Sequence, residues 1–151
     1  MLRKASVLAL CVAAVAGGAA IAAVAPNTPT PMPQVQAKMK TIVDKTSTEL
    51  FNMAGEADPA NGPDAKAPSA AGWATAKSDA DQLKAVADWM LDPKNGKATE
   101  ANWKAAATSM STLSAAASTA AAAHDAAGLA KAANDLSDTC TTCHSVYKQQ
   151  S

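Results

Sequence analysis

The chain has 151 residues, and its 13 lysine and arginine side chains are matched by 13 aspartate and glutamate side chains. A chain with this balance offers no basic stripe that displaces the counterions of a phosphate backbone, which argues against nucleic acid as a partner. The length suits one domain with a single core and is too short for two.

The N-terminal segment has the pattern of an export signal. Arg3 and Lys4 form a short basic region, and residues 5–25 are apolar and rich in alanine. The small side chain of Ala22 favours cleavage after this position, so residues 1–22 are predicted to be a signal peptide. The alternative is an uncleaved anchor helix, because the apolar run is long enough to span a bilayer. After cleavage the remaining chain is slightly acidic, since both basic residues leave with the signal.

Residues 23–33 are predicted to form a linker, because their prolines fix the backbone and remove amide donors. From Gln34 onwards apolar side chains recur at steps of three and four, which predicts helices. A polar stretch over residues 55–72 is predicted to be one long loop, and Asp125 is predicted to cap the last helix. The predicted helices cover about residues 34–54, 73–90, 99–123 and 125–149.

The fold class follows from these elements. No segment alternates with period two over a useful length, so no sheet is expected. Four helices joined mostly by short connections close most simply as an up-down-up-down bundle. We therefore predict an all-α domain, a four-helix bundle over residues 34–151.

The last predicted helix carries the sequence Cys140-Thr141-Thr142-Cys143-His144. C-x-x-C-H is the attachment pattern of c-type haem, in which two thiols add to the vinyl groups and the neighbouring imidazole binds the iron. The motif predicts one covalently bound haem c per chain. The alternative is a disulfide between the two cysteines, although a bridge across two residues closes a tiny loop and adds little stability. The third cysteine, Cys11, is expected to leave with the signal peptide.

This arrangement resembles the class II c-type cytochromes, the cytochrome c′ family of four-helix bundles. The resemblance rests on a helical chain with its single C-x-x-C-H in the last helix, followed by Tyr147 and Lys148 as by the family's aromatic and basic residues. It implies thioether bonds at Cys140 and Cys143, iron binding by His144, haem at one end of the bundle, a periplasmic location and often a homodimer. Lys148 lies one turn beyond the histidine, where it either reaches a haem propionate or is a solvated residue at the negative end of the helix dipole.

The second axial position decides between two functions. In five-coordinate members of the family an apolar residue of the first helix blocks this position, and in low-spin members a methionine of that helix binds the iron. Met39 is the candidate here, because Met39 and His144 each lie about 7.5 Å from the adjacent ends of two antiparallel helices. Met90, near the end of the second helix, is the competitor. The other methionines considered are set aside as too distant or unfixed: Met32, Met53 and Met110.

The expected function is that of a periplasmic electron carrier with His144 and Met39 as axial ligands and with redox partner proteins that the sequence does not identify. The alternative is a five-coordinate haem protein that binds NO or CO at an open distal face. No membrane partner is expected unless the signal stays uncleaved. Neither a pair of carboxylates nor a Ser, His, Asp set stands out, so no enzymatic activity is expected.

Two further interpretations of the cysteines are weaker. A zinc site that adds His124 to Cys140, Cys143 and His144 requires the chain to fold back along about 24 Å of helix. A thiol-disulfide oxidoreductase places its first cysteine at a helix N-terminus within a βαβ pattern. Here the pair lies near a helix C-terminus in a helical chain.

Overall fold

The computed structural model describes residues 33–148. Over this range the chain is helical and contains no strand, which confirms the all-α prediction. None of the helices between Pro33 and Lys148 is long and apolar enough to cross a membrane. Several predicted features lie outside the described residues: the signal peptide, residues 23–32 of the linker, Cys11, Met32 and residues 149–151.

Four long helices make up the fold. The first, α1, covers residues 33–57 and begins at Pro33, a first helical position where the missing amide hydrogen has no consequence. It is α-helical over Pro33–Lys38, π-helical over Met39–Val43 and α-helical again over Asp44–Ala57. The others are α2 (Ala70–Leu91), α3 (Ala101–Ala122) and α4 (Ala126–Tyr147). Their ends differ from the predicted ends by a few residues.

The stretch predicted as one long loop is partly helical. α1 continues to Ala57, and Pro59–Asp64 forms a 3-10 helix. Asp58 caps this short helix, because its carboxylate accepts a hydrogen bond from the N–H of Ala60 at 2.9 Å. Apolar periodicity cannot reveal such an element, since none of its side chains is buried.

Side-chain caps begin two of the long helices. The hydroxyl of Ser69 accepts a hydrogen bond from the N–H of Gly72 at 3.1 Å at the start of α2. The carboxylate of Asp125 accepts one from the N–H of Gly128 at 2.9 Å at the start of α4, as predicted from the sequence. Each cap satisfies an amide that has no partner within its helix.

Each helix packs against its neighbours in sequence, and α1 also packs against α4. Hydrogen bonds show that α2 and α3 are antiparallel: Ser111 donates to Asp88 and, one heptad further along α3, Ser118 donates to Asp81, both at 2.6 Å. The core consists largely of alanine, whose small side chain lets the helices approach closely. Its largest fully buried apolar residues are Leu50, Leu83, Leu129 and Leu136.

Asp79 is an acidic residue inside this core. The residue is only 4% exposed, and its Oδ2 atom has no hydrogen-bond partner among the described residues. Burial raises the pKa of Asp79, the charge of Glu49 raises it further, and Lys45 opposes the shift in part. Keeping this carboxylate ionised therefore costs free energy of folding at neutral pH.

We expect Asp79→Asn to raise the free energy of unfolding at neutral pH by about 1 kcal/mol, because the amide has no charge to desolvate. As the pH falls through the raised pKa, the folded wild-type protein binds a proton more readily than the unfolded chain, so its disadvantage disappears. Urea unfolding measures the free energy of unfolding of both proteins at about pH 7 and about pH 4. Asp138→Asn, at an exposed position, is the control and should leave the free energy of unfolding unchanged at both pH values. A less stable Asp79→Asn protein at pH 7 would contradict the prediction.

Candidate functional site

A cavity lies at the end of the bundle where α1 begins and α4 ends. Its volume is about 40 Å³, so a group larger than a few water molecules requires the surrounding side chains to move apart. All four long helices line it, and most of its wall is apolar. The lining residues with a sulfur or imidazole nitrogen that can bind a metal are Met39, Met90, Met110, Cys140, Cys143 and His144.

Helix α4 presents the C-x-x-C-H residues to the cavity. Cys140, Cys143 and His144 occupy positions i, i+3 and i+4, which lie on one face of a helix. Both cysteines are free and partly buried. The N–H of Lys148 donates to the carbonyl oxygen of His144 at 3.1 Å, and this hydrogen bond ends the last turn of α4.

The surroundings of these three side chains favour their neutral forms. Burial raises the pKa of the Cys140 and Cys143 thiols. Burial also lowers the pKa of His144, and the positive charge of Lys148 lowers it further. Catalytic cysteines of thiol-disulfide oxidoreductases have the opposite shift, which argues against that class. Neutral imidazole is the form that binds metals.

The π turn of α1 carries Met39. The N–H of Asp44 donates to the carbonyl oxygen of Met39, one residue further along the chain than in an α-helix. The start of α1 is also tied to α2, because the ammonium of Lys38 lies 4.8 Å from the ring centroid of Trp89. Turns of this kind are rare and often occur at functional sites. Here the turn lies where α1 borders the cavity.

Three methionines contribute to the lining. Met39 and Met90 are there together with His144, whereas Met53 is not a lining residue. Met110 also lines the cavity, although its distance from the end of α3 predicts a position too far from His144. The register explains this difference: the hydroxyls of Ser109 and Thr139 are 3.1 Å apart, so Met110 lies level with the first cysteine of the motif.

Trp103 forms one wall of the cavity. Its indole N–H donates to the carbonyl oxygen of Met90 at 2.9 Å, and its ring meets that of Tyr147 edge to face with centroids 5.2 Å apart. The hydroxyl of Tyr147 donates to a carboxylate oxygen of Glu100 at 3.0 Å. These contacts connect the end of α2, the start of α3 and the last turn of α4, and no sequence pattern predicts them.

Gly96 makes the close approach to this indole possible. It has a φ of +55°, which favours glycine, and a Cβ atom added there would lie 2.5 Å from a ring carbon of Trp103. The loop between α2 and α3 can therefore cover the indole only with a glycine at this position.

Lys148 and His124, for which the sequence suggests roles at the site, lie outside the cavity lining. Lys148 is exposed and follows the last turn of α4. His124 lies beyond the far end of α3, where its ring stacks on Trp73 with centroids 5.2 Å apart. Over residues 33–148, no three His, Cys, Asp or Glu side chains are arranged to hold a metal ion, so the structure does not support the zinc alternative.

Comparison with models of protein families, with curated proteins and with solved structures finds no match to this chain.

Proposed function

We propose that the chain is a c-type cytochrome similar to class II, an electron-transfer protein with one haem c held at the cavity end of its four-helix bundle. One observation carries the proposal: Met39 of α1 lines the same apolar cavity as Cys140, Cys143 and His144 of α4. Because the chain resembles the cytochrome c′ family, we further propose that the protein is exported to the periplasm.

The residues present fit a covalently attached haem. The two free cysteines are spaced as the attachment motif requires, and the neighbouring histidine is on the same helical face. The rest of the wall offers apolar side chains and the indole of Trp103 to a flat apolar ring. Sulfur and imidazole are also the ligands that tune haem iron for electron transfer.

The chain's own residues have distinct roles in this proposal. Cys140 and Cys143 would hold the haem through thioethers, each formed by addition of the thiol S–H across one vinyl double bond with no leaving group. His144 and Met39 would bind its iron. When bound, the haem iron supplies the ability to accept and release one electron. Thioether ligation would raise the reduction potential.

We expect Met39→Ala to convert a low-spin protein into a high-spin one that binds CO in the reduced state, because it removes the sixth ligand. Absorption spectra of the oxidised and reduced proteins measure this change through the loss of the methionine-to-iron charge-transfer band. Met53→Ala is the matched control, since Met53 is a partly buried methionine of the same helix that does not line the cavity. It should keep the wild-type spectrum.

The same spectra test the alternative function. A wild-type protein that is already high-spin and binds CO has an open distal face, and the NO- or CO-binding function then replaces electron transfer. A low-spin spectrum that survives Met39→Ala but is lost in Met90→Ala would assign the sixth ligand to Met90, which lines the same cavity.

A further inference from the structure

Sulfur is concentrated in the wall of the cavity. Five of the lining residues contribute a sulfur atom: Met39, Met90, Met110, Cys140 and Cys143. The proposed haem site takes one methionine and both cysteines, and it does not need Met90 or Met110. Soft sulfur ligands suit Cu(I), Zn(II) and iron–sulfur clusters, but zinc and these clusters are bound by cysteine and not by methionine. Methionine beside cysteine therefore favours Cu(I).

The two methionines that haem does not need are held inside the fold. Met90 is 4% exposed and Met110 is 6% exposed, yet both border the cavity. The backbone of Met90 is fixed, because its carbonyl oxygen accepts a hydrogen bond from the indole of Trp103 at 2.9 Å. Met110 is level with Cys140, because the residues that precede them on α3 and α4 are hydrogen-bonded at 3.1 Å. Thioethers from α2 and α3 thus meet the thiols of α4 at one place.

The cavity has the size of an ion. Its volume of about 40 Å³ has room for one metal ion while the walls stay in place, whereas a haem requires them to move apart. Because most of the wall is apolar, it favours a complex without net charge. A Cu(I) ion bound by one thiolate and otherwise by neutral sulfur atoms is such a complex.

We propose that the chain without haem binds one Cu(I) ion in this cavity through Cys140, Cys143, Met90 and Met110. One thiol releases its proton to solvent as its sulfur bonds to copper, the other thiol stays neutral, and the metal remains Cu(I) throughout. Haem attachment uses the same two thiols, so a chain holds either copper or haem. The copper site goes beyond the proposed function and does not depend on it.

Anaerobic titration with Cu(I) in competition with the chromogenic chelator bathocuproine disulfonate tests this proposal. The protein is the full chain made without a haem-attachment system, with Cys11→Ser in every sample so that the cavity cysteines are its only thiols. We expect one Cu(I) per chain. Met90→Leu and Met110→Leu should each weaken the binding of Cu(I) about tenfold, because each removes one ligand and keeps the apolar volume.

Two comparisons separate a ligand from a packing role. Met53→Leu is the matched control, since Met53 is partly buried and does not line the cavity, and its affinity for Cu(I) should stay within about twofold of wild type. Binding of Zn(II) should be the same with and without Met90 and Met110, because thioethers are not zinc ligands. Equal Cu(I) affinity in wild type and in both cavity variants would overturn the proposal, as would a wild-type chain that binds no Cu(I).

X-ray absorption at the copper edge tests the same ligands without any variant of the wall. We expect a coordination shell made only of sulfur, with three or more atoms. A shell with an imidazole nitrogen, or with two sulfurs alone, would contradict the ligand set. Haem attachment is measured on other samples, so a chain that binds copper but takes up no haem would contradict only the proposed function, and a haem protein that binds no copper before attachment would contradict only the copper site.

Discussion

A protein in which Cys140 and Cys143 are both replaced by alanine is expected to lose all covalently bound haem. The two thiols line the cavity and are the only described cysteines, so no other side chain of residues 33–148 can form the thioethers. The measurement is the intact mass of the denatured protein after expression with a haem-attachment system, together with haem staining on a denaturing gel.

The two residues between these cysteines provide the control. Thr141 and Thr142 are exposed, and their hydroxyls donate only to backbone carbonyls of α4 at 3.2 and 3.0 Å. The double variant Thr141→Ala, Thr142→Ala should therefore carry haem as the wild-type protein does. A wild-type protein that shows no haem mass under the same conditions would contradict the proposed function, whereas haem that stays attached without both cysteines would contradict only the site.

Trp103→Ala is expected to lower the free energy of unfolding by about 3–5 kcal/mol, the range for removal of a large aromatic side chain from a core. Trp103 is 2% exposed, and its loss also leaves the ring of Tyr147 without its aromatic neighbour. Urea unfolding followed by circular dichroism measures the change. The cavity also loses one wall, so the variant should bind haem less well.

Trp103→Phe separates the two contributions of the indole. It keeps an aromatic ring in the core but removes the N–H that donates to Met90 at 2.9 Å. We expect a loss closer to 1–2 kcal/mol, about that of one buried hydrogen bond with some packing. If the alanine variant lost no more stability than the phenylalanine variant, the ring would not be part of the core.

The four helices could be predicted because each carries an apolar stripe at steps of three and four. The cap of α4 by Asp125 could be predicted because it depends only on neighbouring residues. Pro59–Asp64 escaped this argument, since it buries none of its side chains. Asp79 escaped it too: a carboxylate marks a polar face in sequence, yet here it is buried beside Ala80. Such burial depends on which helix faces pack against each other, and the sequence pattern alone does not predict this packing.

The candidate site can also be predicted only in part. Spacing along one helix places Cys140, Cys143 and His144 on one face, and counting residues from the ends of two antiparallel helices places Met39 opposite His144. The position of Met110 cannot be predicted by counting residues from the helix ends, because the register of α3 against α4 depends on contacts such as that of Ser109 with Thr139. Haem attachment at Cys140 and Cys143, iron binding by His144 and Met39, and the role of Lys148 stay predictions.

The π turn over Met39–Val43 makes the distal residue separable from the rest of the fold. Its extra residue relates Met39 to Asp44 as residues four apart are related in an α-helix, so the turn does not rotate the segment before it. Deleting Thr41 should therefore restore a regular α-helix while Met39 keeps its place in the cavity wall. A deletion elsewhere in α1 has no such buffer and would turn everything before it by about 100°.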